Sequence, residues 1–263
     1  MEHPWAGRGL GTRSVSYDED DVILYALAVG ARAEQLDLVF ERDLRVLPTF
    51  AFVLGQWAPD VLGSSGVFDS RTAVHGSQRL ETFQPLPRSG TIDLTAQVGR
   101  VWDKGKAAVF EVEVASEYFS ARWSIFAPGE GGFGGNRGEA RGQEELGAPR
   151  SPLQLQTHPE QAVIYRLLGD KHHIHVDPVA ASKIGAPRPI LHGLCTLAMA
   201  VLPLAEAAGA HPADLRELEG RFASPVLPGD ALTIDRYEGE RFDVRVGDRK
   251  VISDAVASFE ATP

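Results

Sequence analysis

Asp170 and His175 stand five residues apart in the run YRLLGDKHHIHVDPVAASKIGAPRPILHGLC, which extends from Tyr165 to Cys195. A carboxylate and an imidazole at that spacing can grip one water molecule between them. His175 suits the role of base, because an imidazole titrates near neutral pH. Asp170 suits the proton side of the same reaction. Farther on, Pro189-Ile190-Leu191-His192-Gly193 opens a long apolar stretch. A helix start presents unpaired amides and glycine permits close approach, so the Gly193 amide is a candidate oxyanion donor. Together these groups suit the addition or removal of water beside a polarised acyl carbonyl, with a thioester as the expected acyl group.

Each residue also has a plainer reading. Asp170 can be a turn aspartate after Gly169, His175 a satisfied core histidine, and Gly193 a glycine needed for helix packing. Asp177-Pro178 reads as helix grammar, an Asp N-cap with Pro at the first helical position, and Gly185 reads as the stop. His172, His173 and His175 crowd into four positions, so a zinc site using His173, His175 and either Asp170 or Asp177 is conceivable. The only cysteine is elsewhere and hydration needs no metal, so no metal is expected.

The elements that must position these residues occur twice. Ser16-Tyr17-Asp18-Glu19 reads as a capping box before DDVILYALAVG, and Thr157-His158-Pro159-Glu160 as another before QAVIYRLLGD. Tyr25 and Tyr165 follow at nearly the same offset. VLPTFAFVLG from Val46 parallels PILHGLCTLA from Pro189, each a proline-led start of an apolar central helix. Arg79-Leu80 and the Pro85–Gly90 turn match Arg221-Phe222 and the Pro225–Asp230 turn, and strand-patterned segments follow both. Phe110 to Val114 alternates apolar and acidic residues, the period of a half-buried strand. The expected fold is α+β: two curved antiparallel sheets, each wrapping a central helix. The boundaries read as 1–138 for the first unit, 139–156 for a Gly- and Glu-rich linker, and 157–263 for the second.

Composition narrows the function. The 263 residues carry a net charge of −10, which argues against a nucleic-acid partner. One cysteine excludes an internal disulfide framework; Cys195 reads as a buried, inert thiol. The first residues lack the apolar core of a signal peptide, so a cytoplasmic setting is expected. Leu191–Ala208 is as long as a membrane span, but His192, Pro203 and Glu206 interrupt it, and a helix wrapped by a sheet explains it better than a membrane.

GDKHHIHVDP followed by PILHGLCT resembles the signature of the MaoC-like, (R)-specific enoyl-CoA hydratases, the type 2 enoyl-CoA hydratases. The likeness continues through LPTF at Leu47, HGSQ at His75, WDKGKAAV at Trp102, GEGGFGG at Gly129 and RFASPVLPGD at Arg221. It implies a double hot-dog fold, a homodimer, and (R)-specific hydration of trans-2-enoyl thioesters or the reverse dehydration. Coenzyme A would enter as part of the substrate, with no separate cofactor. By the same resemblance Asp170, His175 and Gly193 are catalytic. His75, Gly76, His172, His173 and His192 would contact substrate, while Lys104 and Arg221 would meet the anionic coenzyme A moiety. The first unit, which has no Asp-His pair after Tyr25, would accommodate the acyl chain. A dehydratase of carrier-bound or polyketide-like intermediates, or a non-catalytic thioester-binding subunit, is the alternative. His172 and His173 depart from the family's usual Asn-Pro, which leaves the Asp170–His175 pair intact and bears on substrate choice.

Overall fold

The computed structural model describes residues 2–138 and 146–260. The first half runs β1 (Gly9–Tyr17), α1 (Glu19–Ala28), α2 (Leu36–Val39), α3 (Ala51–Gly55), α4 (Trp57–Ser64), β2 (Val74–Thr82), β3 (Gly90–Asp103), β4 (Ala107–Ala115) and β5 (Phe119–Pro128). The second runs β6 (Leu153–Gln156), α5 (Gln161–Tyr165), α6 (Pro178–Lys183), α7 (Gly193–Ala208), β7 (Leu215–Phe222), β8 (Ala231–Arg236), β9 (Arg241–Val246) and β10 (Arg249–Phe259).

All strands lie antiparallel in the order β1-β3-β4-β5-β2-β7-β10-β9-β8-β6. Read inward from either edge, the two halves have the same order, so the repeat in the sequence is a repeat in space. The two curved sheets expected from the repeat join edge to edge. β2 pairs with β7 from Ser77↔Arg221 to Glu81↔Glu217, making one continuous ten-stranded sheet. If Arg79 is equivalent to Arg221, then Gln78 is equivalent to Gly220, and these two residues face each other across the join. The local two-fold passes between them. An edge strand exposes unpaired amides and carbonyls, and pairing β2 with β7 removes one such edge from each half.

The central helices are packed against this sheet. In α7 the residues Leu194–Val201 are all buried, as expected for a helix enclosed by protein on every side. Gly220 lets α7 approach, since a Cβ there would lie 2.9 Å from Leu197 Cδ1. The corresponding segment of the first half is interrupted at Gln56 into α3 and α4. Gly55 is required there because a Cβ would meet the buried Trp123 ring at 2.6 Å.

Three local expectations change. Asp18, not Ser16, is the N-cap of α1, exchanging bonds with Asp21; Ser16 belongs to β1. No side chain caps α5, because the Thr157 hydroxyl donates to Asp230 O and accepts from Gly229 N. Residues 153–156, assigned to the linker, form the edge strand β6 against β8. The Gly-rich segment from Gly129 folds onto the first half, where the buried Asp103 carboxylate accepts from the amides of Gly105, Gly132, Gly134 and Gly135. These donors, Gly132 foremost, hold its pKa at about 2. Within the linker, residues 139–145 lie outside the described residues.

Candidate active site

The site is built on the segment between α5 and α7. After α5 the chain tightens into a 3-10 turn, and Gly169, at φ +139°, reverses it. That backbone region suits glycine. Asp170 then folds over the following residues, its Oδ1 accepting from His172 N at 3.1 Å. His173–His175 form a second 3-10 turn, with His172 as N-cap. Asp177 caps α6 through Val179 N at 2.8 Å, Pro178 takes the first helical position, and Gly185 follows the helix at φ +78°.

His175 is buried and its tautomer follows from its partner. Nδ1 lies 2.8 Å from Ile190 O. A carbonyl only accepts, so Nδ1 carries the proton and Nε2 keeps its lone pair. Burial, above all, lowers the His175 pKa below the usual imidazole value, so the ring is neutral and able to accept a proton. The Asp170 carboxylate, His175 and His192 each offer an atom within 4.8 Å of the others'.

His192 is the third member of this cluster. It is 2% exposed and lies against the pair. Its ring stacks on that of His175 with centroids 3.5 Å apart and planes 21° apart, and its Nε2 meets the main-chain oxygen of Asp170 at 3.2 Å. Burial first, then the neighbouring His175, push its pKa down to about 3. The ring is flanked by His175 and, tilted by 46°, by Tyr165 with centroids 4.8 Å apart.

The stack also bears on the metal reading. A histidine lone pair lies in its ring plane, and two nearly parallel planes 3.5 Å apart do not meet within a metal–nitrogen bond of about 2.0–2.1 Å. His173 is exposed, whereas His175 and His192 are buried. The arrangement fits a held water better than a chelated ion.

Gly193 is the first residue of α7, so its amide belongs to the unpaired first turn. A Cβ at this position would lie 2.9 Å from the Phe222 ring. On its other side Phe222 meets His75 edge-on, centroids 4.8 Å apart. His75 donates from Nε2 to Ser77 O at 3.0 Å, and burial brings its pKa down to about 4. Gly76 occupies the irregularity in the β2–β5 pairing between His75 and Ser77. Thus His75 of the first half reaches the second half's helix start through Phe222.

The two cations diverge. Arg221, on β7, pairs with Asp254 at 3.4 Å and sits across from Ser77, beside His75. Lys104 lies on the β3–β4 turn with its amine donating to Arg137 O, and β4, β5 and β2 separate β3 from β7. His172 is exposed, and its Nδ1 accepts from Ile174 N at 3.4 Å. Asp60 of α4 was not foreseen. It lies within electrostatic reach of Asp170 and His172, and its pKa is raised by desolvation first, with Asp170 adding to it. Its only trace in the sequence is an acid inside the apolar run WAPDVLG.

Known proteins agree with this architecture. Residues 15–127 match the MFE-2 hydratase 2 N-terminal domain, and residues 142–258 match the MaoC like domain. The chain is 36% identical to the mouse peroxisomal multifunctional enzyme type 2 over 89% of its own length, spanning 35% of that protein. It is 34% identical to enoyl-CoA hydratase ChsH3 of Mycobacterium tuberculosis, covering 86% of this chain and 85% of the relative. Among solved structures, a MaoC-like dehydratase from Phytophthora capsici superposes with a TM-score of 0.86 at 25% identity, covering 97% of this chain and 96% of that one. This chain belongs to the MaoC-like hydratase and dehydratase family, with a hydratase 2 N-terminal unit ahead of the MaoC-like one.

Proposed function

We propose that this protein is a hydro-lyase that adds water to trans-2-enoyl thioesters, and removes it from (3R)-hydroxyacyl thioesters, at the site formed by Asp170, His175 and Gly193. One observation carries the assignment of roles: His175 donates from Nδ1 to Ile190 O, which leaves the Nε2 lone pair free on a ring that has a nitrogen within 4.8 Å of the Asp170 carboxylate. A water held between the two loses a proton to Nε2 as its oxygen bonds to Cβ. The π electrons move onto the thioester oxygen, where the Gly193 amide and the positive end of α7 stabilise the enolate. As the enolate collapses, Cα takes a proton from the same pair. Because both groups act from one face, the addition is syn.

The acyl chain extends toward the first half, where Asp60 and His75 border the site. Coenzyme A is the preferred carrier, with Arg221 the better placed of the two candidate cations for its phosphates. Hydration of trans-2-enoyl-CoAs by the purified protein tests this. The product should be oxidised by a (3R)-specific but not a (3S)-specific hydroxyacyl dehydrogenase, and pantetheine and carrier-protein thioesters should be slower. No turnover of any of these thioesters would leave only the thioester-binding subunit. Light scattering checks the homodimer that the family resemblance implies.

A further inference from the structure

We propose that His192 is a positioning residue, one imidazole that fixes the Asp170 main chain through Nε2–H and backs the His175 ring by stacking. It thereby sets the spacing of the two proposed catalytic groups. The inference rests on their assignment as the catalytic pair.

Two contacts of a single ring carry it. Nε2 lies 3.2 Å from Asp170 O, and since a carbonyl accepts, this nitrogen bears the proton. The ring face lies 3.5 Å from that of His175. The ring itself is held from behind. Its main-chain oxygen accepts from Thr196 N and Thr196 Oγ1 at the start of α7. Tyr165 packs against it with centroids 4.8 Å apart, followed by Tyr25 of the first half at 6.2 Å and Phe50 at 5.3 Å from Tyr25. A column of rings therefore connects the core of the half without the Asp-His pair to the imidazole of the half that has it.

The residue type matches this task. Asp170 stands at a glycine-led reversal, and its carbonyl needs a donor; His175 needs a flat, apolar face. Phenylalanine supplies only the face and glutamine only the donor, whereas histidine supplies both. Desolvation with His175 alongside keeps the His192 ring neutral, and its one N–H is committed to Asp170 O. Its Nδ1 is buried and finds no protein partner, and the positioning role makes no use of it.

The test separates face from donor. His192→Phe keeps the stack and should lower kcat about 30- to 100-fold with KM within about threefold, as expected when reacting groups shift by about an ångström. His192→Gln restores an N–H near the Nε2 position and should lie between parent and Phe. Combining His192→Phe with Asp170→Asn should cost no more than about twofold beyond Asp170→Asn alone, because the position of a missing carboxylate no longer matters. A purely structural role would instead multiply the two effects, and that result overturns the proposal. So does a Phe variant within about threefold of the parent kcat, or a Gln variant as inactive as Asp170→Asn, which would make His192 a proton carrier. If Phe fails to fold, the Gln variant and its double with Asp170→Asn decide on the same criteria. Normal turnover in Asp170→Asn itself would overturn the underlying pair, an outcome distinct from normal turnover in His192→Phe alone.

Discussion

The two halves share one strand order, yet the segment joining the first helix to the central helix differs completely between them. In the first half, residues 29–47 turn at Gly30, form α2 and bury Leu38, Leu44 and Val46. They contain no histidine. In the second half, residues 169–192 bury His175 and His192 and bond their own main chain to both rings. One scaffold thus buries aliphatic side chains in one connection and two imidazoles in the other. A polar loop survives burial only with its groups partnered, and here the partners are carbonyls that also choose the tautomers. The lesson is that the sheet and central helix set a frame, while one connection decides where chemistry can occur.

The sharpest way to break the comparison is to remove the pair. Asp170→Asn and His175→Ala should each lower turnover by about 10²- to 10⁴-fold, as for a lost general acid or base. Steady-state hydration rates decide this, and near-normal activity in either variant removes that residue from the mechanism.

Next come the glycines on which the two central helices depend. Gly193→Ala drives a methyl into Phe222, which also touches His75, so kcat should fall about tenfold to a hundredfold. Gly55→Ala drives one into Trp123 and should cost about 1–3 kcal/mol of stability, as overpacking does, while the folded fraction keeps its kcat. Urea melts and active-site-normalised rates on both variants distinguish the halves. Equal loss of kcat in the two would show that the first half is as tightly coupled to chemistry as the second.

Acid should separate them as well. His175 and His192 have folded pKa values below the ordinary 6.5, with His192 at about 3 and burial the first cause for both. Their stabilising contribution is therefore complete above about pH 6.5 and is lost as pH falls toward the folded values. Each such ring adds a slope of about 1.4 kcal/mol per pH unit within that window. Unfolding midpoints between pH 7.5 and 5 should fall with acid, and His192→Phe should flatten the slope by about one proton. Hydrogen exchange should show the 169–192 segment opening before 29–47.

The smallest effect is expected at the loop's departure from family pattern. His172 caps the 3-10 turn through Nδ1, a bond an asparagine can also make, and residue 173 stands at the turn's first position, where proline is tolerated. His172→Asn with His173→Pro should leave the fold and the rate-limiting chemistry working. It should shift kcat/KM a few-fold toward simple straight-chain enoyl-CoAs. An unchanged ranking across acyl groups would make the two histidines neutral replacements.

Much of this was legible in the residues themselves. The repeat, the α+β class, the second-half location of the Asp-His pair, the Asp177-Pro178 cap and the buried Cys195 all depend on local spacing or on hydrophobic period. Such patterns record contacts between near neighbours along the chain, and a reader can recover them without coordinates. The joining of two sheets into one, the tie between Lys104 and Arg137, the approach of Asp60, and the stacking of His192 on His175 were decided by tertiary structure alone. Each depends on segments far apart in sequence being brought within a few ångströms. His192 follows a perfectly ordinary helix-start motif; only when the loop folds back over α7 does its ring acquire two partners, and no spacing rule encodes which face a side chain will find covered.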